Sequence, residues 1–395
     1  MKTKLSLAVA AALLAGATSA QAAGGIVAGD WTLDIGGNVN AFYTSTRSSG
    51  DALAGGAVNL GGNNVSGENT ETNITTGLLP NFLSVSGKTR QNDLDVGFTI
   101  SMNPGASTRA GASGGGANEN RQAFLTFGDK SWGSILIGKN LGIFGSDAIL
   151  SDMTLLGVGS GAGFRANTTT TLGNIGTGYL YADWKSQVAY TSPNMNGLSF
   201  TAGVTQAWNA LDATGDDAAG GVGSSPTFEA KASYAFAGDV SGKAWVGFLS
   251  QKYELAAGSE RGNAFEVGAN VNIAGLGLTA YYYDGKGVGT TALGLGALDD
   301  AGKRRDSDGY FVQATYSLPG VGTKLGIAYG RSDLDKNSAE TALDADLEND
   351  QWTIGAYHPL TKHLNLVAEY SVAETDRGAL NAEAKTASAG AILFF

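Results

Sequence analysis

An all-β fold, a closed antiparallel up-and-down barrel whose strands cross a membrane, is the class this sequence predicts. Three observations lead to it. Segments about ten residues long alternate apolar and polar side chains with period two. The links between them are by turns long and tight. The chain is also rich in glycine, poor in proline and free of cysteine, with 60 Gly, 6 Pro and no Cys in 395 residues. Proline removes a ladder N–H and is scarce where sheets dominate. No stretch after the first residues approaches the roughly 20 apolar residues of a membrane helix, so a membrane would have to be crossed by strands.

The chain starts with Lys2 and Lys4, continues through an apolar run at 5–17, and reaches Ala20, Gln21 and Ala22. A basic start, a short apolar core and a small-x-small end form a secretory signal peptide, expected at 1–22, with the barrel at 23–395. Without cysteine the exported chain has no disulfide staples and must hold together by backbone pairing and packing.

Strands are then expected at 31–46, 81–89, 93–103, 120–128, 133–140, 185–192, 198–208 and 226–237. Further strands are expected at 242–254, 263–273, 276–286, 308–318, 323–334, 351–359, 364–375 and 385–395, which makes about sixteen, an even number as bacterial barrels have. Leu94, Val96, Phe98, Ile100 and Met102 alternate with Asp95, Gly97, Thr99, Ser101 and Asn103. Phe265, Val267, Ala269, Val271 and Ile273 alternate with Glu266, Gly268, Asn270 and Asn272. Each such strand has one oily and one wet face, which suits either a soluble sandwich or a membrane barrel.

The links decide between these. Those after odd-numbered strands are long, as at 47–80, 104–119, 141–184 and 287–307; those after even-numbered strands are tight, as at 90–92, 274–275 and 361–363. A Greek-key sandwich has no reason to alternate in this way, whereas an up-and-down barrel with long outer loops and short inner turns does. Aromatic residues near strand ends, Phe42, Tyr43, Trp184, Trp208, Tyr281, Tyr282 and Tyr283, are expected to form a girdle at the headgroups. The last strand runs to Phe395 and must pair with the first, because an open edge is untenable in lipid.

The formal net charge is -11 and grows more negative once Lys2 and Lys4 are removed. So anionic a chain is a poor phosphate-backbone binder, which excludes nucleic acid as a partner. The same balance predicts a mild preference for cations if the barrel conducts. His358 and His363 have no acidic or thiol companions in ligand spacing, so neither a metal nor a cofactor is expected. The acidic run at 344–350 reads as a solvated outer loop.

The segment 141–184 does not alternate, yet it carries Ile143, Phe144, Ile149, Leu150, Met153, Leu155 and Leu156. A solvated loop would seldom hold so many apolar side chains. The nearest wall for them is the inner face of the barrel, and a loop folded onto that face narrows the opening.

Particular motifs add a family likeness. Asn120-Arg121-Gln122-Ala123-Phe124, then Gly133-Ser134 and Gly138-Lys139-Asn140 before the long loop, Tyr190-Thr191-Ser192-Pro193 after it, and the terminal Phe395 together resemble the general Gram-negative porins. The likeness covers the whole expected barrel in architecture and 120–200 in motif. It implies sixteen-stranded homotrimers in the outer membrane, surrounded by lipid and lipopolysaccharide, that pass small hydrophilic solutes and ions by diffusion. It also implies a third loop inside the lumen whose carboxylates face basic wall residues. Two departures stand out: the loop has Leu155-Leu156-Gly157-Val158-Gly159 in place of a Pro-Glu-Phe-Gly-Gly tip, and Phe82 stands where relatives often carry a wall arginine.

A channel selects through the width and field of its narrowest ring. Asp147 and Asp152 are the carboxylates of the loop before Asp183, and the resemblance places Asp152 at the acidic eyelet position. The resemblance likewise places Arg121 on the wall. Parity turns Lys185 inward with Gln187, and Lys231 inward with Glu229. Asp147, Asp152, Arg121, Lys185 and Lys231 are therefore the expected constriction. Lys88 reads as an ordinary lumen charge, and Lys139, which shares a face with Ile135 and Ile137, points outward. A channel selective for one sugar or anion is the nearest alternative, and an adhesin a more distant one. A barrel hydrolase is disfavoured because both histidines fall at the tight-turn end, away from any nucleophile.

Overall fold

The structure, a computed structural model, describes residues 25–53, 56–60, 69–108, 118–160, 169–207, 225–255, 258–340 and 346–395. The expected signal peptide at 1–22 and Trp208 lie outside the described residues.

Alternation and tight turns produce one antiparallel sheet that closes on itself, with sixteen barrel strands. In chain order these are β1 (Trp31–Gly50), β2 in two pieces (Asn69–Thr75 and Phe82–Gln91), β3 (Leu94–Pro104), β4 in two pieces (Asn118–Glu119 and Ala123–Asp129) and β5 (Gly133–Leu141). After the long third loop come β6 (Trp184–Thr191), β7 (Leu198–Thr205), β8 (Thr227–Phe236), β9 (Val240–Leu255), β10 (Gly258–Ile273) and β11 (Leu276–Lys286). The circuit finishes with β12 (Asp306–Ser317), β13 (Lys324–Asp335), β14 (Leu347–Pro359), β15 (Leu364–Arg377) and β16 (Leu380–Phe394). A short strand, Ile26–Ala28, hairpins onto the start of β1.

Closure is between β16 and β1, in register from Phe394 opposite Asn38 to Ala382 opposite Gly50. Gly37 and Phe395 exchange both backbone hydrogen bonds at the seam, at 3.0 and 3.1 Å. Among the described residues the strands form a closed ring, which is the condition for spanning hydrocarbon.

The two faces are inverted relative to a water-soluble protein. Ile100, Leu125, Phe200, Phe248, Val312 and Ile354 are exposed on the outside, while Asn38, Ser84, Thr99, Gln187 and Thr353 are buried within. Lipid is the solvent that accounts for such an exterior. Tyr282, Tyr310, Trp352 and Tyr370 point outward toward the long-loop ends of β11, β12, β14 and β15. The girdle differs in part from expectation: Tyr43 and Tyr282 face out, but Phe42, Tyr281 and Tyr283 are buried inward, because period two sends alternate residues of one aromatic run to opposite faces.

The strand interruptions were not legible either. The expected single link at 47–80 contains a piece of β2, and between its two pieces residues 76–81 leave the ladder and turn into the barrel. Asn40 on β1 holds this inturn: its Nδ2 donates to Leu79 O (2.9 Å), its Oδ1 accepts from Gly77 N (2.9 Å), and its own N–H donates to Asn81 Oδ1 (2.6 Å). Asn38 Nδ2 adds a bond to Pro80 O at 2.9 Å. Three side-chain amides thus satisfy the backbone that the broken ladder leaves open.

Candidate pore constriction

The chain between β5 and β6 folds into the barrel, and inward side chains of one strand after another hold it there. Glu229 on β8 accepts from Ile143 N (2.8 Å) and Phe144 N (2.9 Å), and Glu266 on β10 accepts from Gly145 N (3.0 Å). Gln313 on β12 bonds both Met153 N (2.6 Å) and Ser151 O (3.1 Å). Glu369 on β15 receives Val158 N (2.7 Å) and Gly159 N (2.8 Å). On the return, Gln351 on β14 donates to Gly173 O (2.9 Å), and Ser332 on β13 accepts from Gly178 N (2.8 Å). The loop is therefore fastened along the inner wall from β8 to β15.

Local sequence explains its path. Gly145 has φ 75, a left-handed conformation that costs glycine little, and it starts the helical turn Ser146–Ser151 with its N–H aimed at Glu266. A side chain on Gly157 would collide with the Glu369 carboxylate. Around these anchors the apolar residues of the loop, among them Phe144, Ile149, Met153 and Leu155, pack with inward Trp245, Tyr281, Phe311 and Tyr357 of the wall.

The expected site residues divide into four groups. Asp147 meets two lysines: Lys243 Nζ lies 2.5 Å from Oδ1, and Lys231 Nζ lies 3.0 Å from Oδ2 while donating to Ser146 Oγ at 2.8 Å. Lys185 and Glu229 form a separate pair at 2.6 Å, with side chains 1% and 0% exposed. Arg121 is buried, pairs with Glu119 at 2.7 Å, donates to Thr169 and Thr170 of the loop (3.2 Å each), and lies over the Trp184 ring at 5.8 Å. Its inward direction defies strand parity because 120–122 are not strand; the break in β4 frees the side chain from alternation. Lys139 and Lys88 sit on β5 and β2, outward and inward by register.

Asp152 is turned into the loop itself. Its carboxylate accepts from Tyr179 Oη (2.6 Å), Thr154 N (2.8 Å) and Asn174 Nδ2 (2.9 Å), and burial pushes its pKa above the ordinary range despite those donors. It ties the outgoing and returning segments together. The residues that sequence reading missed are the wall anchors Glu266, Gln313, Gln351 and Glu369 and the second lysine, Lys243. Parity offered a signal for Glu266, on the polar face with Asn270. Lys243 shares its face with Trp245 and Leu249, so its strand read as apolar there.

Burial alone would raise the Asp147 carboxyl, but Lys231 and Lys243 outweigh it and hold it below the usual carboxylate range. A depressed folded-state pKa gives stabilisation that is present above the ordinary Asp value of about 4 and lost as pH falls through the lower one. Asp147→Asn is therefore expected to lower the unfolding midpoint at neutral pH, with the gap to wild type closing in strongly acid solution. Urea unfolding in detergent at a series of pH values checks this, and a gap that persists unchanged in acid would contradict it.

Comparison with known proteins adds to this geometry. A comparison with curated protein sequences gives no match. Among solved structures, the outer membrane channel DcaP of Acinetobacter baumannii is similar with a TM-score of 0.68 at 18% identity, covering 94% of this chain and 100% of that one. An anion-selective porin from Comamonas acidovorans has a TM-score of 0.63 at 14% identity, covering 92% and 100%. A Salmonella typhi OmpF complex with daunomycin has a TM-score of 0.55 at 16% identity, covering 94% and 99%. At these identities the likeness establishes the barrel. The sequence-family model described as Gram-negative porin matches residues 6–378. With a closed lipid-facing ring, a polar inner wall and a loop strung across it, the chain belongs to the Gram-negative porin family and is a multi-pass diffusion channel of the outer membrane.

Proposed function

We propose that this channel, exported by removal of residues 1–22, works as a homotrimer seated among outer-membrane lipid and lipopolysaccharide, and passes small polar solutes with a preference for anions. The trimer is supported by family membership and by an OmpT of Vibrio cholerae described in a trimer form, similar with a TM-score of 0.53. The anion preference reverses what net charge alone suggests, and one observation carries it. At the loop, two ammonium groups, Lys231 and Lys243, surround the single carboxylate of Asp147, leaving a surplus positive charge. Lys243 is the more open of the two, its side chain 26% exposed against 12% for Lys231.

Of the other wall carboxylates at this level, Glu229 is paired with Lys185, while Glu266 and Glu369 are buried away from the lumen and accept from loop amides and from the Tyr281 and Tyr357 hydroxyls. Much of the negative balance sits elsewhere. Asp284, Asp308, Asp350 and Glu374 share the outward face with the girdle aromatics, so they charge the exterior rather than the lumen.

Reversal potential in planar bilayers under a KCl gradient tests it. Wild type is expected to show the anion-favouring sign, and Lys231→Met with Lys243→Met to move it by tens of millivolts toward cations. A cation-favouring wild type, or a double variant indistinguishable from it, would refute the preference while leaving the channel itself intact.

A further inference from the structure

On their outward faces β9 and β10 change character together toward the long-loop end. Phe248 and Phe265 stand opposite each other and exposed, Ser250 and Asn263 follow, and then Lys252 faces Arg261. At about 3.3 Å per residue on a tilted strand, that pair lies roughly 10 Å above the phenylalanines, at the level of lipid headgroups. Like charges directly opposite each other across a ladder repel. Lys252 has Glu254 at 2.7 Å, whereas Arg261 donates to Ser250 Oγ (3.1 Å) and meets no carboxylate among the described residues.

A third cation closes on the pair. Arg304, in the link between β11 and β12, donates from Nη1 to Arg261 O (3.0 Å), and these three residues border a hollow of about 260 Å³ with Ser259 and Glu260. Glu260 is the one acid of that lining, and it is already met by Arg304 at 3.2 Å and Lys303 at 3.5 Å. The hollow is left with surplus positive charge. The rim over β12 to β15 is its opposite: on the outward face Asp308 stands across from Asp333, Glu348 from Asp376 and Asp350 from Glu374, with Arg331 among them. An anion in the surrounding leaflet is repelled there and drawn to β9 and β10.

We infer that Lys252, Arg261 and Arg304 form a docking site for the phosphate group of an outer-leaflet lipid whose acyl chains lie below it along the exposed Phe248 and Phe265. A guanidinium without a carboxylate partner binds phosphate through paired N–H donors, and the phosphate charge relieves the repulsion between Lys252 and Arg261. At ~30 Å³ per water, the hollow holds a phosphate ester together with waters that bridge it to the cations. Free phosphate offers the same charge but leaves the phenylalanines uncovered, whereas a lipid satisfies both halves of the surface. This rests on the reading that lipopolysaccharide surrounds the barrel, and it names where such a lipid is held.

The test uses the full mature protein, folded in detergent with EDTA so that no divalent cation bridges a phosphate to the acidic side. Diphosphoryl lipid A is titrated in and binding is followed by native mass spectrometry. Wild type should bind it saturably, and Lys252→Gln with Arg261→Gln should raise the dissociation constant about tenfold or more, since two charge-assisted contacts are lost. Arg261→Gln alone should shift it less in the same direction, and replaces the double variant if that one does not fold. Asp308→Asn with Asp350→Asn should not weaken binding. The lysine and arginine variants should also keep the wild-type reversal potential under a KCl gradient, because the site lies outside the lumen.

Equal lipid A binding by wild type and the double variant would overturn the site while leaving lipopolysaccharide as a neighbour. Inorganic phosphate that displaces lipid A at equal concentration would overturn the lipid as its occupant, and loss of multimers from the double variant with lipid A binding kept would give the patch to a second copy. A reversal potential moved by the double variant would put the pair on the conducting path instead. No binding by wild type would refute the lipopolysaccharide reading and the site with it.

Discussion

Deleting residues 380–395 is expected to leave no folded barrel. β16 exchanges backbone hydrogen bonds with β15 from Leu364–Leu393 to Arg377–Leu380, and with β1 from Asn38–Phe394 to Gly50–Ala382. Its loss would expose two long edges to hydrocarbon, where each unpaired N–H or C=O costs several kcal/mol. A domain's whole stability is about 5–15 kcal/mol, so a handful of such groups exceeds it. Nor can the remaining strands close again cheaply. β1 and β15 both run toward the long-loop end, so they would have to pair in parallel and in a new register. The measurement is heat-modifiable migration on an SDS gel after refolding into detergent: wild type should show separate folded and unfolded bands, the truncated chain only the unfolded one. A folded band of undiminished intensity from the truncated chain would show that closure through β16 is not what holds the ring.

The ring itself was legible in the sequence because its causes are local and repetitive. Alternation in Leu94 to Met102 or in Phe265 to Ile273 depends only on neighbouring residues and on which solvent each face meets, and the observed strands β3 and β10 contain both runs. Strand ends on the tight-turn side were legible for the same reason, as at Ala274 and Gly275, whose φ values of 47 and 87 suit a two-residue hairpin. The outer ends extend further than expected, to Gly50 in β1 and Gly258 in β10, because polar residues beyond the lipid can continue a ladder without continuing the apolar alternation.

The constriction was legible only in part, and the reason is physical. Parity places Lys185, Glu229 and Lys231 on the inner face, but whether an inward charge meets solute or anchors a loop depends on contacts across 44 to 211 residues of chain, such as Lys185 to Glu229 and Glu369 to Val158. Sequence spacing carries no trace of these. Arg121 and the inturn at 76–81 were hidden for a different reason. Both lie where a strand breaks, and a break cancels the alternation on which inward and outward are judged. The excess of acidic residues misled in its turn, since a net charge has no address: Asp284, Asp308 and Asp350 count toward it from the outer face.

Lys185→Met is expected to destabilise the folded barrel by about 3–5 kcal/mol, because it strands a buried carboxylate. Glu229 Oε1 accepts from Lys185 Nζ at 2.6 Å and from Thr205 Oγ1 at 3.1 Å, while Oε2 accepts from Ile143 and Phe144. With both side chains shut away from water, the charge has no other counter-ion within hydrogen-bond reach among the described residues. The protein must then protonate Glu229 or let the start of the loop lift from the wall to admit water, and either path gives up bonds that hold Ile143 and Phe144. Lys185→Met with Glu229→Gln should recover part of the loss, since a neutral amide oxygen still accepts from a loop N–H and leaves no charge unpaired. Urea unfolding of refolded protein in liposomes at neutral pH gives the comparison. Recovery in the double variant separates a stranded charge from a mere loss of packing, which a second substitution at the same place would only deepen. A single variant within about 0.5 kcal/mol of wild type, the ordinary spread of surface substitutions, would mean that the pair does not anchor the loop.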